Sequence, residues 1–223
     1  VYKRQGLQPE VAWNIGANAT KEFLINQRSL LIGLDYYYTW FDQQVVVDWE
    51  NPRKISFYNL EGDSYSHAVQ AQLDYALSDR IDLRMAYRYN DVQTDYADGR
   101  LLKPLTPRDR AFFNTAIDFG KGWTWDGTLT WQGTARLPST LDNPPEYQAL
   151  EISPNIFNGL MQLTKSWNSG WAIYVGSENL FNYQQENPII SADDPFEPFF
   201  DASLIYAPIF GRNIYAGMRW SVR

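Results

Sequence analysis

The stretch "RIDLRMAYRYN", residues 80 to 90, alternates without a break between Ile81, Leu83, Met85, Tyr87 and Tyr89 and a series that includes Asp82, Arg84, Arg88 and Asn90. A period of two specifies a β-strand whose faces meet different surroundings. The combination is unusual, because an apolar and aromatic face is backed by full charges. The same pattern extends in both directions. "VAWNIGANATKEF" (11–23) sets Val11, Trp13, Ile15, Ala17 and Ala19 against Asn14, Gly16, Asn18 and Thr20. "SLLIGLDYYYTW" (29–40) gathers Leu30, Ile32, Leu34, Tyr36, Tyr38 and Trp40. "SYSHAVQAQLDYAL" (64–77), "GWTWDGTLTWQGT" (122–134) and "RNIYAGMRWSV" (212–222) divide likewise, and weaker alternation runs through 110–119, 157–167 and 170–176. No segment has the period of an amphipathic helix.

Composition narrows the function. Aromatic residues make up 16% of the 223 positions, yet the mean hydropathy is −0.44, so large amphipathic rings occur in a chain that is polar on average. A net charge of −7 argues against a nucleic-acid partner, which requires clustered Lys and Arg. The absence of Cys and the single His, His67, remove thiolate metal sites, disulfides and most zinc and Ser-His-Asp chemistry. No cofactor and no catalytic or metal-ligating set is expected. Asp193 and Asp194 have no partner group for hydrolytic chemistry. With Glu197 and Asp201 they match no calcium-loop spacing and read as a hydrated acidic loop.

The connections distinguish a membrane barrel from a sandwich. They alternate between tight ("INQR", "LSD", "FGKG", "NSG") and long (47–54, 94–109, 138–155 and 182–210). In a transmembrane barrel short turns lie on the periplasmic side and long loops outside, whereas a soluble sandwich has no such obligation. This assignment gives about nine strands, beginning near 11, 29, 54, 80, 108, 122, 156, 170 and 211, with the C-terminus in the periplasm. An odd count does not close an ordinary bacterial barrel, so residues 1–223 read as the C-terminal part of a larger one. The fold class is therefore an all-β, antiparallel transmembrane β-barrel. Leu83, Met85, Leu129, Met218 and Trp220 should face outer-membrane lipid. Arg84, Arg88, Asp126, Tyr215 and Arg219 should face the lumen. Trp13, Trp40, Trp123, Trp167 and Trp171 suit the two interfacial girdles.

Four segments in order resemble the C-terminal barrel half of TonB-dependent outer-membrane receptors: "LQPEVAWNIGANAT" (7–20), "FYNLEGDSYSHAVQAQLDY" (57–75), "ENLFN" (178–182) and "APIFGRNIYAGMRW" (207–220). The chain departs from the family at Ala68, Val69 and Gln70, where a Gly-aliphatic-Glu run is common, and at its end, Ser221, Val222 and Arg223, where an aromatic residue is common. The resemblance implies a 22-stranded barrel with a plug and roughly 13 further strands upstream of this chain. It also implies energy coupling through the TonB complex, a Gram-negative outer-membrane location, and active import of a scarce, large solute rather than enzymatic activity. The alternatives are a passive porin or structural barrel, or a soluble carbohydrate-binding β-sandwich. The loop from Tyr183 to Phe210 is expected to pack over the barrel mouth, where it captures ligand, docks a surface partner such as a lipoprotein, or serves only as a lid. Tyr183, Phe199, Phe200 and Tyr206 in that loop, with Arg84, Arg88 and Arg219 in the lumen, are the candidate substrate-binding residues.

Overall fold

The computed structural model describes residues 6–51, 54–96 and 99–222. Among them are twelve strands, no α-helix and one 3₁₀ turn at Pro145–Tyr147. The strands are β1 (Val11–Ile25), β2 (Arg28–Gln43), β3 (Val45–Asn51), β4 (Lys54–Asn59), β5 (Ser64–Ser78), β6 (Ile81–Tyr96), β7 (Gly99–Leu102), β8 (Asp109–Gly120), β9 (Trp123–Gln132), β10 (Ile156–Ser166), β11 (Trp171–Glu178) and β12 (Asn213–Trp220). Nine form one antiparallel sheet in the order β1-β2-β5-β6-β8-β9-β10-β11-β12, and β7 extends it beside β6. Among the described residues no second sheet packs on this one as a layer, which sets the sandwich aside. β1 and β12 are each paired along one edge among the described residues, so the sheet does not close into a barrel.

Eight of the nine expected strand starts fall within two residues of the observed ones. The third does not: residues 54–59 are β4, which pairs with β3 in a separate hairpin, and the barrel strand begins at Ser64. The chain turns at Glu61–Asp63, and the apolar run Val45–Val47 pairs locally with Phe57–Asn59 before β5 enters the sheet. What reads as a loop is thus a β-hairpin above the strand ends. Arg223, part of the expected terminal signature, lies outside the described residues.

Register fixes the faces, because residues directly opposite one another share a face. One row runs Ile32, Leu73, Met85, Phe113, Leu129, and another pairs Ile173 with Met218 and Trp171 with Trp220. This face is apolar and carries 83, 85, 129, 218 and 220. On the opposite face Asp35, Gln70, Arg88, Arg110 and Gln132 lie side by side across five strands. Arg84, Asp126, Tyr215 and Arg219 share that polar face. A one-residue slip would exchange the two sets, so the pattern and the pairing specify each other.

Aromatic residues gather at the strand ends of the apolar face. Trp13 is opposite Trp40 near the loop end. At the turn end Trp171 and Trp220 stack with centroids 5.8 Å apart, and the Lys165 ammonium lies 5.5 Å from the rings of both Trp123 and Trp167. Such rings suit a boundary with one wet and one apolar side.

The tight turns require unusual backbone. Asn26 and Gln27 both have positive φ, as a two-residue hairpin demands. At Gly122, φ is +77° and an added Cβ would overlap the Ser166 carbonyl oxygen, which belongs to the adjoining strand. Gly122→Ala is therefore expected to cost about 1–3 kcal/mol. The cost should appear as a lower temperature for loss of the compact band of the full-length protein in semi-native gel electrophoresis, and an unchanged temperature would refute it.

Candidate functional site

All four long connections, 43–64, 96–109, 132–156 and 178–213, emerge at the same end of the sheet. Three of them are tied together. The Arg136 guanidinium donates to both Glu50 carboxylate oxygens at 2.7 Å, while its Nε donates to the Leu102 carbonyl at 2.7 Å. It also lies 5.7 Å from the Tyr96 ring. This side-chain pair is only 18% and 12% exposed. Val46, Tyr96, Ala135 and Leu137 are buried around it, and burial raises the Tyr96 phenol above its ordinary pKa. The hairpin β3–β4, strand β7 and the 132–156 connection thus share a small core at the loop end of the sheet.

Strand β6 continues beyond its pairing with β8, and there Asp95 accepts from Arg100 Nε at 2.7 Å and from the Asp63 backbone N–H at 2.8 Å. The Arg100 hydrogen bond, followed by that of the Asp63 amide, holds the Asp95 carboxyl below its ordinary value of 3.8. A depressed folded-state pKa makes this contribution fully present above the ordinary value and lost as pH falls through the lowered one. Exchange of the Asp63 amide, corrected for its intrinsic pH dependence, should stay slow above pH 3.8 and accelerate below it. Equal protection across that window would show that the carboxylate does not hold this corner.

The last connection is the longest and is closed at its neck by two amides. Asn179 donates to the carbonyls of Tyr183 (2.7 Å) and Phe210 (3.0 Å), and its Oδ1 accepts from the Tyr183 N–H. Gln185, 7% exposed, donates to the Leu204 carbonyl at 2.9 Å and accepts from the N–H groups of Tyr206 and Ala207 at 2.9 and 3.2 Å. Tyr147 from the preceding connection stacks on Phe199, centroids 4.7 Å apart and planes 15° from parallel. Asp194 and Asp201 accept from Phe196 and Ser203 N–H groups, so these acids of the predicted hydrated loop cap its turns.

Between these two connections lies a cavity of about 910 Å³. Its wall includes Tyr147, Tyr183 and Tyr206, the amides of Gln148, Gln184 and Gln185, and an apolar side with Leu137, Ile189 and Leu204. Burial raises the Tyr206 phenol, with Tyr183 and Glu186 adding to the shift.

The sequence-predicted residues divide accordingly. Tyr183 and Tyr206 meet at this cavity, and Phe199 reaches its edge through Tyr147. Phe200 is not on the wall. Arg84, Arg88 and Arg219 are elsewhere, on the polar face of β6 and β12. Arg84 pairs with Asp74, while Arg88 donates to Asn90 at 2.9 Å and is opposite Arg110. His67 is set among Tyr36, Tyr38 and Tyr65 on the apolar face, hydrogen-bonded to the Tyr36 hydroxyl at 3.0 Å. Sequence reasoning missed Gln185 and the Glu50–Arg136 pair.

A family model described as a putative outer membrane β-barrel porin, MtrB/PioB, matches residues 5–115. No curated protein matches the chain. Among solved structures, FpvA of Pseudomonas aeruginosa bound to heterologous pyoverdines is similar over 96% of this chain and 27% of its own, at 16% identity and a TM-score of 0.67. The ferric-catecholate import receptor Fiu of Escherichia coli K12 is similar over 96% and 28%, at 12% identity and a TM-score of 0.64. The copper transporter OprC is similar over 97% and 32%, at 15% identity and a TM-score of 0.67. The chain thus spans about a third or less of the length of these structures. The likenesses support an outer-membrane location in a Gram-negative cell. The chain has the fold of a fragment of an outer-membrane β-barrel, as in TonB-dependent receptors, and the proteins it resembles are receptors and porins, transporters rather than enzymes.

Proposed function

We propose that the chain is the C-terminal part of a TonB-dependent active transporter with a barrel of about 22 strands, a size at which the lumen is plugged. In this reading the upstream part supplies the plug and the contact with the TonB complex. The polar face lines the lumen, and the apolar face meets outer-membrane lipid. A scarce, large solute is captured at the outer loops. The observation that carries the reading is the stitched pair of connections flanking the partly enclosed, tyrosine-walled cavity at the loop end. An open pore has no need of such a chamber, whereas a receptor that must hold a dilute solute before transport does. Tyr183 and Tyr206 on the wall, and Phe199 at its edge, are the residues proposed to contact the solute. Phe200, Arg84, Arg88 and Arg219 are not part of this chamber, and the three arginines serve the lumen wall.

The family-model match favours a second reading, a passive porin. Planar-bilayer recording of the full-length protein in potassium chloride separates them. A plugged transporter leaves the membrane without a steady conductance, whereas a lasting ohmic conductance at each insertion would replace this reading with the porin.

A further inference from the structure

We propose that the cavity between the 132–156 and 178–213 connections takes an organic cation: an amine or guanidine group carried on an apolar or aromatic body. The inference rests on the reading of this chamber as the capture site and specifies what it captures. Its volume, about 910 Å³, falls in the range of small-molecule sites. Three carboxylates, Glu146, Glu186 and Asp193, are distributed around its wall, and among the described residues neither Lys nor Arg lines it. The two arginines of these connections are directed elsewhere, Arg136 to Glu50 and Arg212 to the Leu180 carbonyl.

A partly enclosed wall of one sign concentrates counter-charged solutes and repels like-charged ones. The tyrosine rings add faces on which a cation is attracted by the ring quadrupole. The pKa of the Tyr147 phenol is consistent with this field: it is raised first by Glu197, then by burial, and then by Glu146, Asp193 and Asp194, whose negative charges disfavour a phenolate beside them.

The carboxylates are too dispersed for an inorganic ion. Among the described residues no group of three or more His, Cys, Asp and Glu is placed to hold a metal. Together with the apolar wall of Leu137, Ile189 and Leu204, that dispersal suits an extended cation with a hydrophobic body.

Two dyes with the same xanthene core and opposite charge test this: rhodamine 6G, a cation, and fluorescein, an anion. Binding to the full-length protein in nanodiscs is followed by fluorescence anisotropy at low salt and corrected against empty nanodiscs. Rhodamine 6G should bind and fluorescein should not. The triple variant Glu146→Gln, Glu186→Gln, Asp193→Asn should weaken rhodamine 6G by about tenfold or more. Should the variant lose its compact gel band, competition on the native protein decides instead, spermidine displacing the cationic dye and tricarballylate failing to. Fluorescein bound as tightly as rhodamine 6G, equal rhodamine 6G affinity in native protein and folded variant, or displacement by tricarballylate and not spermidine would each overturn the proposal. Because conductance tests the transporter reading separately, a plugged protein that ignores the dye's charge refutes only the cation.

Discussion

Replacing Gln185 by Ala should release the whole 183–210 loop while leaving the sheet intact. The side chain makes three hydrogen bonds to the returning limb of the loop, and it is almost wholly buried. Its removal leaves the Tyr206 and Ala207 N–H groups and the Leu204 carbonyl without these partners. At about 1–3 kcal/mol for each buried group left unsatisfied, the three give about 3–9 kcal/mol, and the loss falls toward the lower end because Tyr206 and Ala207 are only partly buried, still enough to open a surface loop. Limited proteolysis should cut the variant within 186–203 at concentrations that spare the native protein, with the compact gel band unchanged. Gln185→Glu keeps both acceptor bonds and loses the donor, so it should fall between. Equal cleavage of all three proteins would show that the neck is held by something other than this amide.

The second large effect is expected at Arg136. Removing one member of a mostly buried, bidentate ion pair leaves the other charge poorly solvated, at a cost approaching that of a fully buried pair, about 3–5 kcal/mol. Arg136→Ala and Glu50→Ala should each strip exchange protection from the amides of β3, β4 and β7. The double variant should lose much less than the sum, since neither charge is then stranded. Additive losses would mean that the two side chains act independently, despite the 2.7 Å contacts.

These sites differ in how far the sequence disclosed them. The strands and their facing were legible because a period of two is a local signal repeated over 15 or 16 residues in β1, β2, β5 and β6. The tight turns were legible because each is short and bounded by such runs. The β3–β4 hairpin was not. Its two strands are only 7 and 6 residues long, and they pair with each other rather than with the sheet, so residues 47–54 read as a loop and the run from 54 as a strand of the barrel. The Glu50–Arg136 pair joins residues 86 positions apart, and no periodicity connects one carboxylate to one guanidinium at that distance. Within the candidate site, Tyr183 and Tyr206 were found because aromatic rings are conspicuous in a polar loop. Gln185 was hidden for the opposite reason: an amide among amides gives no sign of which one turns inward, and only the carbonyls and N–H groups around it in the folded chain select it.

With the long connections on the outer side, as proposed, the clamp among them also bears on recognition by an immune system or a phage. Residues from 45–59, 96–109 and 132–156 meet around Arg136, so the surface there is an assembled epitope, present only while separate stretches are held together. Antibodies raised against synthetic peptides from any one stretch should bind it poorly on intact cells. The tip around Phe196, whose side chain is almost fully exposed at 96%, is the opposite case: a short continuous determinant that a linear peptide can imitate. Immunisation with the 191–200 peptide should therefore give serum that labels whole cells, and immunisation with 132–141 should not.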